Sequence, residues 1–339
     1  MKAILTILAL ISTAGLITLF APEHGARVVR AAGQQMGGPI HKYGPNDERG
    51  ALNRITPEGI LAATRLIRSG KVYDLGVTVD RHSPRWPGHA PAEVVTFRTP
   101  SGIRTQGDVD FTRPETNPRH TFWMSNYLIM SDQIGTQLDA LSHITTGADN
   151  HWYNGFTEEQ YLGDFGPKRA DAASMPPIIA RGVLIDVAAA KGVKALPANY
   201  GITAEDLRHA LDVQGIRLQP GDVVLIRTGT GAAWPDAARM AVSDTAGITL
   251  DAAKWLVEQQ AMIIGSDTTG LEQNPVRTGA SELFPVHRYL LVDQGIPIGE
   301  LHYLEDLARD RAYEFTYVCL TAKIRGSTAG FALRPIAIR

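Results

Sequence analysis

The stretch Ser131-Asp-Gln-Ile-Gly-Thr-Gln-Leu-Asp-Ala-Leu-Ser-His143 decides how the chain is read. It follows an apolar run that ends near Met130 and is dense in side chains able to bind a cation. In an extended chain, residues two or four apart project to one face, so Gln133, Gln137, Asp139 and His143 can converge on one pocket, with Gly135 leaving room for close backbone approach. One carboxylate, one imidazole and two amide oxygens make an oxygen-rich set that suits zinc or manganese. The same residue types around a strand end also serve as turn and surface groups, so the spacing alone leaves both readings open.

Outward from this segment, short apolar runs alternate with capped helices. Thr56-Pro-Glu58 starts a helix with proline at its first position, and the spacing of Ile60, Ala63, Leu66 and Ile67 carries it to Gly70. Similar starts at Thr203 and Thr249 open helices to about Val213 and Gln259, each followed by a buried strand, 221–228 and 262–267. Residues 72–79, 94–97, 122–130, 182–187 and 315–324 add β-branched or aromatic strands. No repeat or linker divides the chain, so residues 32–339 read as one α/β domain with a mixed sheet.

The first residues differ from the rest. Lys2 precedes an uncharged run from Ala3 to Ala21, and Val29, Ala31 and Ala32 allow cleavage after Ala31. This predicts a signal peptide over 1–31 and a periplasmic or secreted protein; the 19-residue run also approaches a bilayer span, so a retained membrane anchor is the alternative. The 33 basic and 35 acidic side chains form no basic tract, which argues against nucleic acid as a partner. With Cys319 as the only cysteine, no intrachain disulfide or thiolate cage can form, and any metal must be held by nitrogen and oxygen. Arg227-Thr-Gly-Thr-Gly231 lacks the spacing and lysine of a phosphate loop, and no Gly-x-Ser-x-Gly elbow marks a serine nucleophile.

The 131–143 segment resembles the metal signature of the cyclase-type metal-dependent hydrolase family, which includes bacterial kynurenine formamidase, isatin hydrolase and trans-dienelactone hydrolase. That signature reads His-x-Gly-Thr-His-x-Asp-x-Pro-x-His. Gly135, Thr136, Asp139 and His143 match it; Gln133 and Gln137 stand in place of the two histidines and Leu141 in place of the proline, a pattern similar to the Gln-x-x-x-Gln-x-Asp of the dienelactone hydrolase branch. Tyr43–Asn53, Trp86-Pro-Gly88, Pro285-Val-His287 with Gly295–Glu300, and Arg325–Gly330 with Arg334–Ala337 resemble other family segments in the family's order.

The resemblance implies a cyclase-like swivelling β/β/α fold and a homodimer. It implies that Asp139 bridges two divalent ions, Zn or Mn, with Gln133 and Gln137 completing one site and His287 and Glu300 the other, a single occupied site being the variant. His143 would be the general acid and base. On its own, His287 reads as a core histidine of an apolar helix and Glu300 as the start of a surface segment. Trp86 would flank the substrate; Trp152 and Tyr153, close after His143, are further candidate walls. Asp267 either supports the metals or caps a turn. The function expected is hydrolysis of a small lactone, cyclic amide or aryl formamide; the alternative is an exported small-molecule binding protein that keeps the pocket without catalysis.

Overall fold

The computed structural model describes residues 42–275 and 282–339. Its centre is a nine-stranded sheet in the order 72–74, 336–338, 314–319, 178–186, 223–227, 263–266, 298–300, 137–139, 329–330. The four strands 178–186, 223–227, 263–266 and 298–300 run parallel to their neighbours in that order, and the flanking pairs are antiparallel. Val223–Arg227 and Ile263–Ser266 are buried along their whole length, as expected of parallel strands covered on both faces.

The helices start where the caps place them. Thr56, Thr203 and Thr249 each accept a backbone N–H from the first turn, and Asp206 reciprocates to Thr203 in a full capping box. Helices Ala204–Gln214 and Leu250–Glu258 turn Leu207, Leu211, Ala252 and Leu256 into the core. The first helix is shorter than its apolar spacing predicts: it spans Pro57–Thr64 and buries only Ala63. Beyond it the chain is drawn to the C-terminal strand, where Ser69 and Lys71 donate their N–H groups to the Arg339 carbonyl. The segment 72–79 likewise pairs only over Val72–Asp74, since Val77 N–H is captured by Thr136 Oγ1 at 2.9 Å.

Glu93–Arg98 and Ser125–Ile129 form a two-stranded ribbon apart from the main sheet, with Val94, Phe97, Tyr127, Leu128 and Ile129 exposed. Among the described residues no helix is long and apolar enough to cross a membrane. The expected signal segment, 1–31, lies outside the described residues.

Candidate metal centre and cavity

Only the middle of the 131–143 segment is a strand, Gln137–Asp139. Within it Gln137 and Asp139 share one face, while Leu138 points to the opposite side and is fully buried in the core. Antiparallel pairing puts Glu300 directly opposite Gln137, so its carboxylate reaches the same face. Gly135, at φ +71°, turns the preceding residues back toward that face; a Cβ there would collide with Val79. Gln133 therefore arrives from a turn and not from an extended strand. Thr136 Oγ1 donates to the Leu301 carbonyl at 2.7 Å, tying this strand to the one that carries Glu300.

His287 arrives from the other side of the cavity. Phe284, in the left-handed region at φ +52°, turns the chain into the single helical turn Pro285–His287, which continues as wide π-type turns through Asp293. A continuous α-helix is what the apolar spacing predicts there; the wide turns occur next to a candidate site. Glu272 fixes the segment, its carboxylate accepting from Val286 N at 3.2 Å, His287 N at 3.1 Å and His287 Nδ1. His287 Nε2 is thereby aimed at Glu300 Oε1, 3.4 Å away, and Asp139 Oδ2, at 3.8 Å.

Asp139, His287 and Glu300 are all buried, with one ligand atom from each lying within 4.8 Å of the others. Among the described residues, neither Asp139 oxygen is met by a hydrogen-bond donor, and neither is the Oε1 of Gln137. Orphaned buried oxygens are costly unless a positive charge meets them. Burial, then the neighbouring Glu300, pushes the Asp139 carboxyl well above the usual range. Burial raises Glu300 as well. His287 shows the same demand for positive charge: burial opposes its protonation, yet the Glu272 and Glu300 carboxylates hold its pKa well above that of a free imidazole. A divalent cation satisfies these groups as a proton does, and two carboxylates, one imidazole and one amide oxygen are a hard donor set that fits it.

Gln133 does not join that set. Its carbonyl accepts from Gln137 Nε2, and its NH2 group faces His143 Nδ1 at 3.1 Å and Thr328 Oγ1 at 3.3 Å. His143 lies beside this amide with its ring centroid 6.2 Å from that of His287. Burial, with His287 and His89 as neighbouring charges, pushes its pKa down to about 3, so it is neutral.

The cavity above these residues has a volume of about 210 Å3, more than the roughly 150 Å3 that takes up a benzene ring in an apolar core. Trp86 and Phe284 meet edge to face across it at 5.7 Å. Gly88 makes the position of Trp86 possible, because a Cβ there would lie 2.0 Å from the indole ring.

Trp152 and Tyr153 do not line this cavity. The chain reverses between Thr146 and His151, and both rings turn into the core, Trp152 donating to the Arg169 carbonyl at 3.1 Å and Tyr153 to Asp47 Oδ2 at 2.6 Å. Asp267 caps a loop: it accepts from Thr228 N, Thr228 Oγ1, Gly229 N and Gly231 N, and so holds the turn after strand 223–227. Two titratable cavity residues, and Phe284 of the aromatic wall, are absent from the sequence-based candidates. His89 lines the cavity next to Trp86 and directly follows the Trp86-Pro-Gly88 motif. Glu272 had no signal beyond being a lone acid between Leu271 and Gln273.

Residues 73–273 match the family described as "Putative cyclase". A crystal structure of a novel cyclase is 34% identical, aligning 88% of this chain with 98% of its own at a TM-score of 0.76. Isatin hydrolase A from Ralstonia solanacearum is 20% identical over 84% of this chain and 98% of its own, with a TM-score of 0.58. Isatin hydrolase A from Labrenzia aggregata, bound to benzyl benzoate, is 19% identical over 81% and 94%, at 0.56. At these lower identities the two hydrolases share the fold. Among curated proteins no match was found.

Proposed function

The chain belongs to the cyclase family, and from that premise we propose that it is a metal-dependent hydrolase opening a small lactone, cyclic amide or aryl formamide. The observation that carries this reading is the cluster of orphaned buried oxygens on Asp139 and Gln137 facing His287 and Glu300. Asp139, His287 and Glu300, with the Gln137 amide oxygen, would hold one divalent ion, Zn or Mn. When bound, such an ion polarises a carbonyl and lowers the pKa of water toward neutrality.

The chain's own residues supply the rest. Hydrolysis adds a water oxygen to the carbonyl carbon, breaks the C–N or C–O bond and delivers a proton to the departing atom. His143, neutral and lining the cavity, is the side chain placed to exchange hydrogen bonds and protons with that atom. Trp86 and Phe284 offer ring faces and edges to a flat substrate, and the cavity volume suits a single ring or a small fused pair. Benzyl benzoate, the ligand of the Labrenzia protein, is an aromatic ester and fits the same preference.

Export through the 1–31 segment, and a homodimer, complete the proposal. The bare ribbon supports the dimer: its exposed apolar side chains, with Met124, Trp123 and Phe111 beside them, form an apolar surface of the kind a stable interface covers. The test of function is a screen of aryl lactones, formanilides and cyclic imides with Zn2+- or Mn2+-loaded protein. Turnover that chelation and His143→Ala both abolish supports the reading, and turnover that survives chelation contradicts it.

A further inference from the structure

The two glutamines are linked to His143 by hydrogen bonds whose direction can be read from their ends. At one end Asp132 Oδ2 accepts from the Thr328 N–H at 2.6 Å and from the Thr328 hydroxyl at 3.0 Å. With its hydrogen given to that carboxylate, Thr328 Oγ1 has only lone pairs for Gln133, so the Gln133 atom facing it at 3.3 Å is the NH2. That group's second hydrogen then meets His143 Nδ1 at 3.1 Å. The Gln133 oxygen is left to accept from Gln137 Nε2, whose other hydrogen meets Glu300 Oε2 at 2.8 Å. All four amide hydrogens have acceptors. Flipping Gln133 sets its NH2 against that of Gln137 and its oxygen against Thr328 Oγ1, and flipping Gln137 sets its oxygen against the Gln133 oxygen and Glu300 Oε2.

We propose that Gln133 and Gln137 form a relay, anchored on Asp132 and Glu300, that holds His143 in its Nε2–H tautomer, and that Gln133 is a positioning residue and not a metal ligand. Every polar atom of the Gln133 amide is engaged inside the relay, whereas Gln137 keeps its Oε1 free for a cation. Because Nδ1 must accept, the imidazole proton sits on the other nitrogen. His143 therefore begins turnover as a hydrogen-bond donor to the substrate carbonyl or leaving-group oxygen; this consequence rests on the hydrolytic reading of the cavity, whereas the tautomer does not.

The test is two-bond 15N–1H correlation on full-length, 15N-histidine-labelled protein with diamagnetic Zn2+ at pH 7, His143 being assigned by its loss in His143→Ala. The relay predicts protonated Nε2 and unprotonated Nδ1, and Gln133→Glu, whose carboxylate accepts, should move the proton to Nδ1. Protonated Nδ1 in the unmodified protein, an imidazolium, or an unchanged pattern in a folded Gln133→Glu would overturn it. Calorimetry with Zn2+ gives a second measure that needs no activity: Gln133→Leu should bind within about threefold of the unmodified protein, and a loss of tenfold or more would make Gln133 a ligand. A protein with the expected tautomer that hydrolyses nothing in the screen keeps the relay and loses the hydrolase.

Discussion

Substituting Glu272 with Gln tests whether the cavity is built to aim His287 at a cation. The carboxylate takes three donors, Val286 N, His287 N and His287 Nδ1, using Oε2 for the first and Oε1 for the other two. A glutamine has one acceptor oxygen, so two arrangements remain. With the amide oxygen on His287, its NH2 confronts the Val286 N–H, and a buried unsatisfied donor costs about 1–3 kcal/mol. With the NH2 toward His287, Nδ1 must accept and Nε2 must carry the hydrogen, which removes its lone pair from Asp139 and Glu300. Disturbing such a histidine-orienting partner lowers metal affinity roughly 10–100-fold, or about 1.4–2.7 kcal/mol. Calorimetric titration of the metal-free variant with Zn2+ and its thermal unfolding read the two outcomes. An affinity within twofold of the unmodified protein together with an unchanged Tm would refute the reasoning.

Four other outcomes are expected. Gly88→Ala forces the Trp86 ring from its place, since the new Cβ would sit 2.0 Å from it; one aromatic contact of ~1 kcal/mol gives roughly a three- to tenfold rise in KM with little change in kcat, measured by steady-state kinetics on any substrate from the screen. His302 is held neutral by burial, its pKa pushed down to about 4. The unfolded chain protonates this histidine first, near its ordinary 6.5, so stability is full above that value and falls as pH drops toward 4, by about 2 kcal/mol at pH 5; urea unfolding at pH 7 and 5 checks it, and His302→Gln should shrink the difference. Met124→Glu with Leu128→Glu, on side chains 74% and 71% exposed, should give a monomer with unchanged circular dichroism, read by light scattering. Chelation should lower Tm, because an ion that binds only the folded state at 100 times its Kd adds about 2.7 kcal/mol, and Zn2+ or Mn2+ should restore it.

Much of this site was legible because its chemistry is local. Asp139, Gln137 and His143 lie within one short segment, and the alternation of a strand places the first two on one face whatever the rest of the chain does. The threonine caps at 56, 203 and 249 were legible for the same reason, each needing only its own first turn. What depended on distant pairing was not. Gln133 has a plausible ligand spacing, but its amide is claimed by Thr328, 195 residues away. Glu272 acts on His287 across 15 residues through a turn that no periodicity announces. Trp152 and Tyr153 are near His143 in sequence and turned from it in space, because the reversal at 146–151 sends them to partners at Arg169 and Asp47. The apolar spacing past Ala63 failed as a helix signal: Leu66 and Ile67 donate only to the carbonyls three residues back, as turns, and Ser69 and Lys71 are taken by the Arg339 carbonyl.

Metal content addresses the central claim most directly. Protein stripped of metal and re-equilibrated with Zn2+ or Mn2+ should retain about one ion per chain by elemental analysis, and Asp139→Asn and Glu300→Gln should each cut retention at least tenfold while Trp86→Ala leaves it intact. A chain that retains no ion, or an Asp139→Asn variant that binds as well as the unmodified protein, would contradict the account.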